Sequence, residues 1–175
     1  MANQEIPITF KSTLVLYYAL LVGQILICII LSFLVISEKN PTLDMSFADI
    51  KQLLVLLLVP AAIMISHYLY SNKIREGKKL NGFKEKISHF RASSVMRWSL
   101  LEGVNLINLI FFFLSGNYFF LITFSFGFLF FLLARPSENG FIQDYKLDYE
   151  EKQAFKDPMF VKKRNHFKEK VKFKD

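Results

Sequence analysis

Between Thr13 and Ile36 the chain carries no charged side chain, and an apolar helix of that length matches the roughly 30 Å hydrocarbon core of a bilayer. Three further apolar runs follow, near 52–70, 95–114 and 118–134. This spacing predicts an all-α fold: a polytopic membrane protein with four transmembrane helices at 13–36, 52–70, 95–114 and 118–134, and with cytoplasmic amphipathic segments. Ser115-Gly116-Asn117 makes the last two spans a tight antiparallel hairpin. One transmembrane domain is expected over 1–135 and a charged cytoplasmic tail over 136–175. With 53% hydrophobic residues and a mean hydropathy of +0.30, the composition excludes an ordinary soluble domain of this length.

The first run is expected to remain as a span, because Ser37-Glu38-Lys39-Asn40-Pro41 follows it in place of a small-residue cleavage site. Cys28 is the only cysteine, so neither an intrachain disulfide nor a cysteine metal site can form. Lysine and arginine set the orientation. The 37–51 segment holds Lys39 and Lys51 against Glu38, Asp44 and Asp49. Between spans two and three, Lys73, Arg75, Lys78, Lys79, Lys84, Lys86 and Arg91 stand against Glu76 and Glu85. The middle loop, the tail and the N-terminus are therefore expected on the cytoplasmic side.

Leu80, Phe83, Ile87 and Phe90 recur at helical spacing among those lysines, the pattern of an amphipathic helix lying on headgroups before it turns into span three. Lys78, Lys79, Lys84 and Lys86 are the expected lipid-headgroup residues. Phe160, Phe167 and Val171 form a similar basic segment in the tail. Because the basic clusters flank apolar runs, their expected partners are anionic lipids and not nucleic acid. In the acidic stretch from Gln143 to Glu151, Asp148 and Glu151 are spaced as a capping box opening a short helix that ends before Pro158. That stretch is the expected protein-contact surface of the tail.

The third span holds the main functional clue. At about 100° per residue, Ser94, Arg97, Trp98, Glu102, Asn105 and Asn108 fall within one arc of roughly 140°, a polar face that must turn away from lipid. Arg97 is shallow enough to snorkel to the headgroups, whereas Glu102 is short and lies about 10 Å inside the span. A charged carboxylate at that depth costs several kcal/mol unless it is paired, hydrated or protonated. Two readings stay open. In one the polar residues are structural: Asn105 and Asn108 bond to partners such as Gln24, and Arg97, His67 or Ser66 satisfies Glu102. In the other, Glu102 carries a proton or cation.

Pro60 is expected to kink span two, and span four carries phenylalanines on every side. No two histidines among His67, His89 and His166 face one another across the bilayer as a b-type haem needs. No phosphate loop, zinc motif or hydrolase constellation is present, so no enzyme, metal or cofactor is expected. Spans one and two do not echo three and four, which places any pathway between subunits.

Ser99-Leu100-Leu101-Glu102-Gly103-Val104 resembles the carboxylate helix of rotary ATP synthase proteolipid subunits, whose glycine-rich inner helix has no counterpart here. A second resemblance covers nearly the whole chain. It rests on Tyr17-Tyr18-Ala19-Leu20-Leu21-Val22-Gly23-Gln24, on the Arg97–Gly103 stretch, and on Leu114-Ser115-Gly116-Asn117. Ala134-Arg135-Pro136-Ser137 and Asp144-Tyr145-Lys146-Leu147 complete it. This order of features is similar to uncharacterised four-span inner-membrane proteins of Bacteroidota. The resemblance implies a fold and a compartment, the bacterial inner membrane, but no activity. The expected role is a small accessory or scaffold subunit within an oligomer or larger membrane complex. The alternatives are a proton- or cation-conducting oligomer using Glu102, and a module that binds or senses anionic lipid.

Overall fold

A computed structural model describes residues 5–47 and 49–156. The basic segment around Phe160, Phe167 and Val171, together with His166 and Pro158, lies outside them. The described residues form helices α1 (Glu5–Glu38), α2 (Ile50–Gly77), α3 (Phe83–Ser115), α4 (Phe119–Leu133), α5 (Glu138–Asp144) and α6 (Tyr149–Lys156). An isolated bridge joins Thr42 to Asn117. The protein is all-α and reads as an integral membrane protein: α1, α2 and α3 are each long and apolar enough to cross a bilayer.

The central element is α3, which packs against α1, α2 and α4, while α2 also meets α4. Its buried residues Trp98, Leu101, Val104, Asn105, Asn108, Leu109 and Phe112 recur every three or four positions, which gives one broad inward side. Around that side α1 contributes Thr13, Tyr17, Gln24 and Val35, all buried and within about 40° of one another on the helix. Much of its outer side is exposed apolar surface, Val15, Ile29 and Phe33 among it. The second helix runs unbroken through Pro60. Its Asp49 cap accepts the Lys51 N–H at 2.9 Å, and this bond holds the Asp49 carboxyl below its ordinary range.

The fourth helix is short. Its 15 residues extend about 22 Å, well under the hydrocarbon thickness, and the chain then bends by 71° into α5. A fourth crossing exists only if α4 and α5 are counted as one bent span. The early ending of α4 leaves carbonyls that need donors, and other helices supply them. Tyr17 donates its hydroxyl toward Phe131 O at 3.4 Å and Leu132 O at 3.3 Å, and the Trp98 indole donates to Ala134 O at 3.0 Å. At the opposite end, Gly116 closes α3 with φ of 66°, a backbone state that suits glycine. Lys39 reaches over from α1 to bond Phe113 O at 2.6 Å and Leu114 O at 3.0 Å. The Asn117 carboxamide accepts from Asp44 N and Phe119 N and donates to Asp44 O, which ties the 39–49 loop to the hairpin turn.

The basic end departs from the sequence expectation. Phe83 to Ser115 is one continuous helix, so no separate amphipathic segment turns into span three. Ile87 and Phe90 are buried with Phe10, Ile74, Phe141, Tyr145, Leu147 and Phe155. Their apolar face thus meets α1, α2, α5 and α6, not headgroups. Lys86 is also corrected: it is buried, and its ammonium bonds both carboxylate oxygens of Glu151 at 2.7 and 2.9 Å. Lys78, Lys79 and Lys84 remain exposed. The expected capping box is present, with Asp148 N donating to Glu151 Oε2 at 3.0 Å and Glu151 N to Asp148 Oδ1 at 2.7 Å. The Tyr145 hydroxyl lies 2.8 Å from His89 Nδ1, and burial pushes its phenol above the ordinary range.

An ion pair whose two side chains are only 10% and 13% exposed is costly to break on one side, because the remaining charge is left without water. Lys86→Met is therefore expected to lower stability by about 3 kcal/mol and to expose α6 to limited proteolysis. The double substitution Lys86→Met/Glu151→Met should recover most of the protection. Equal protease resistance in wild type and Lys86→Met would rule this anchoring out.

Candidate functional site

The inward side of α3 carries two amides, and each finds a partner on another helix. Asn105 Nδ2 donates to Gln24 Oε1 of α1 at 2.8 Å, with both residues buried. Asn108 donates to Val104 O of its own helix at 2.9 Å and accepts the Thr123 hydroxyl of α4 at 2.5 Å. Bonds of this kind between membrane helices contribute about 1 kcal/mol each. They hold α1 and α4 in register on α3.

Asn105 also sets how close α4 can come. Its Oδ1 points at Gly127, and a Cβ added at that position would overlap the oxygen. The hydrogen that glycine carries there faces the amide oxygen, a weak Cα–H···O geometry recurrent at close helix contacts. Neither Asn105 Oδ1 nor Gln24 Nε2 has a conventional hydrogen-bond partner among the described residues. The node is polar, buried and incompletely satisfied by the described residues.

Glu102 does not belong to that node. It is half-buried at the edge of the inward arc, beside an exposed outer stripe of Ser99, Gly103, Ile110 and Leu114. No hydrogen bond or ion pair reaches it from the described residues. The three partners expected from the sequence are engaged or oriented elsewhere. Ser66 is buried and donates to Ile63 O at 2.9 Å, and His67 is exposed. The Arg97 guanidinium lies over the Tyr70 ring, 5.1 Å from its centre. Gly103, next to Glu102, has open space around its missing Cβ.

Arg97 instead faces a cavity of about 140 Å³ at the basic end of the bundle, walled by Tyr70, Ser94, Trp98, Arg135 and Asp144 among others. Tyr70 donates its hydroxyl to Asp144 Oδ2 at 3.0 Å. Sequence reasoning passed over Tyr17, Tyr70, Arg135 and Asp144. For Tyr17 a signal existed: it precedes Gln24 by seven residues and so shares its face. For the others there was none, since the cavity walls come from stretches far apart in the chain. Among the described residues no group of three histidine, cysteine or carboxylate side chains is placed to hold a metal ion.

Gly127→Ala is expected to destabilise the bundle by roughly 1–3 kcal/mol through overpacking against Asn105. Adding Asn105→Ala should relieve part of that loss, giving a measurable coupling in thermal unfolding; strict additivity would show that the two positions do not touch. Comparison with known proteins finds no matching family model, no matching curated protein and no matching solved structure.

Proposed function

We propose that the protein is a small accessory or scaffold subunit of the bacterial inner membrane. Its basic end faces the cytoplasm, and it docks a transmembrane helix of another subunit along the outer stripe of α3. The observation that carries this reading is the isolation of Glu102. The amide side chains of α3 bond to α1 and α4, whereas a carboxyl five residues beyond Arg97, about 7.5 Å further along the helix, meets no donor from the described residues. A partner helix presenting a cation, an amide or a hydroxyl there would remove the cost of burying it. Ser99 and Gly103, one turn apart on the exposed side, would let that helix come close, as small residues at this spacing do in membrane helix pairs.

A second reading rests on the same residue. An unpaired carboxyl inside a span suits a proton- or cation-conducting oligomer, in which Glu102 would take up and release the ion between subunits. One set of measurements separates the two. For a docking subunit, wild-type protein in mild detergent is expected as an assembly larger than the monomer. Gly103→Leu should shift it to the monomer without lowering its unfolding temperature, because the new side chain enters open space. Proton flux in proteoliposomes should be unchanged by Glu102→Gln. A sharply monomeric wild type with no copurifying partner overturns the docking reading, and a pH-dependent flux abolished by Glu102→Gln establishes the conducting one.

A further inference from the structure

The cavity beside Arg97 holds charges of both signs, none of them in an ion pair among the described residues. Arg97 Nε is buried without a hydrogen-bond partner. Its guanidinium is held by stacking on Tyr70, a contact that leaves the in-plane N–H groups available. Arg135, at the mouth, lies over the Tyr18 ring with its guanidinium 5.6 Å from the centre. Asp144 also lines the cavity and, among the described residues, accepts only the Tyr70 hydroxyl. No carboxylate among the described residues lies within ion-pair reach of either arginine, and no cation within reach of Asp144. Two guanidiniums lining one recess repel each other, and Asp144, which shares the recess, forms an ion pair with neither. Paired N–H forks on a phosphate are the arrangement arginine makes best.

The depth of the recess identifies the source of such a group. It lies at the end of the short α4, where Trp98 reaches Ala134 O and the chain turns by 71°. Tryptophan and tyrosine concentrate at the membrane–water boundary, and Trp98, Tyr70 and Tyr18 all stand here. From the mouth, an exposed apolar strip runs down α4 through Leu133, Leu129 and Phe126, a track for acyl chains. We propose that this cavity binds a membrane lipid through a phosphoethanolamine headgroup. The phosphate would lie between Arg97 and Arg135, the primary ammonium would bond to Asp144, and the chains would lie along α4. The carboxylate selects the ammonium, because methylation of that nitrogen removes every N–H it could accept.

The test uses full-length protein purified in detergent and stripped of lipid. Thermal unfolding is followed as phosphatidylethanolamine, phosphatidylcholine or phosphatidylglycerol is added back, with inorganic phosphate and free phosphoethanolamine as soluble controls. Phosphatidylethanolamine is expected to raise the midpoint most, at the lowest concentration. Arg135→Gln, at an exposed position that packs only on a ring, should weaken this response about tenfold, the loss expected for one charge-assisted bond. Arg97→Gln should do the same. Asp144→Asn keeps an acceptor for Tyr70 and should erase the preference for ethanolamine over choline while leaving phosphate-dependent binding. The proposal is overturned by equal responses to ethanolamine and choline lipids, by a stronger response to phosphatidylglycerol, or by indifference to Arg135→Gln. A full response to inorganic phosphate or free phosphoethanolamine overturns the lipid as the ligand.

Discussion

The hydrogen bond from Asn105 to Gln24 joins two buried amides of different helices, and much of the bundle depends on it. Association in lipid has no hydrophobic driving force of its own, so packing and polar contacts decide which faces meet. Most of α1 is apolar all round, and its exposed Val15, Ile29 and Phe33 would sit equally well against lipid or protein. Gln24 removes that freedom. Once it faces Asn105, helical periodicity turns Thr13, Tyr17 and Val35 inward as well. Tyr17 then arrives at the end of α4, where its hydroxyl meets the last carbonyls. Gly127 lets α4 approach the same amide from the other side.

The brevity of α4 follows from this arrangement and has its own consequence. A helix that ends against its neighbours has its terminal carbonyls taken up by protein. Tyr17 and Trp98 do this, which permits the 71° turn into α5. Because α5 crosses the end of the bundle and does not extend it, Phe141 and Tyr145 land on Phe10, Ile87 and Phe90. The Lys86–Glu151 pair then fastens α6 over that cluster. The aromatic cap and the recess at Arg97 are both products of the place where α4 stops.

Apolar runs made the helices legible in sequence, and the angular sorting of α3 anticipated the Gln24–Asn105 contact, because a polar stripe on one lipid-crossing helix needs another on its neighbour. Periodicity could not decide what an apolar face meets. Leu80, Phe83, Ile87 and Phe90 make the same pattern whether they lie on headgroups or beneath α5 and α6, and only the return of the chain through Phe141 and Tyr145 distinguishes the two. Lys86 was misplaced for the same reason. Glu102 stands at the edge of the polar arc both by angle and in the structure, where a few tens of degrees separate the inside of a bundle from its surface. The fourth apolar run, 118–134, lies within one residue of α4 at either end, but composition does not reveal that Trp98 takes the Ala134 carbonyl.

The charged groups left without an ion pair among the described residues divide by depth. Polar groups that serve only the fold are expected to find partners within it, since each orphan costs more in lipid than in water. Asn108, Trp98, Tyr17 and Lys86 follow that rule. Arg97, Arg135 and Asp144 find ring or hydroxyl contacts but no ion-pair partner among the described residues, and they stand beside tryptophan and tyrosine side chains of the kind that gather at headgroup level. Glu102 lies further in, on a side chain too short to reach that level. A headgroup that serves Arg97 cannot also serve Glu102, so two different kinds of neighbour are needed. The shallow charges call for a lipid, and the deep one calls for a proton or for another helix that brings its own donor.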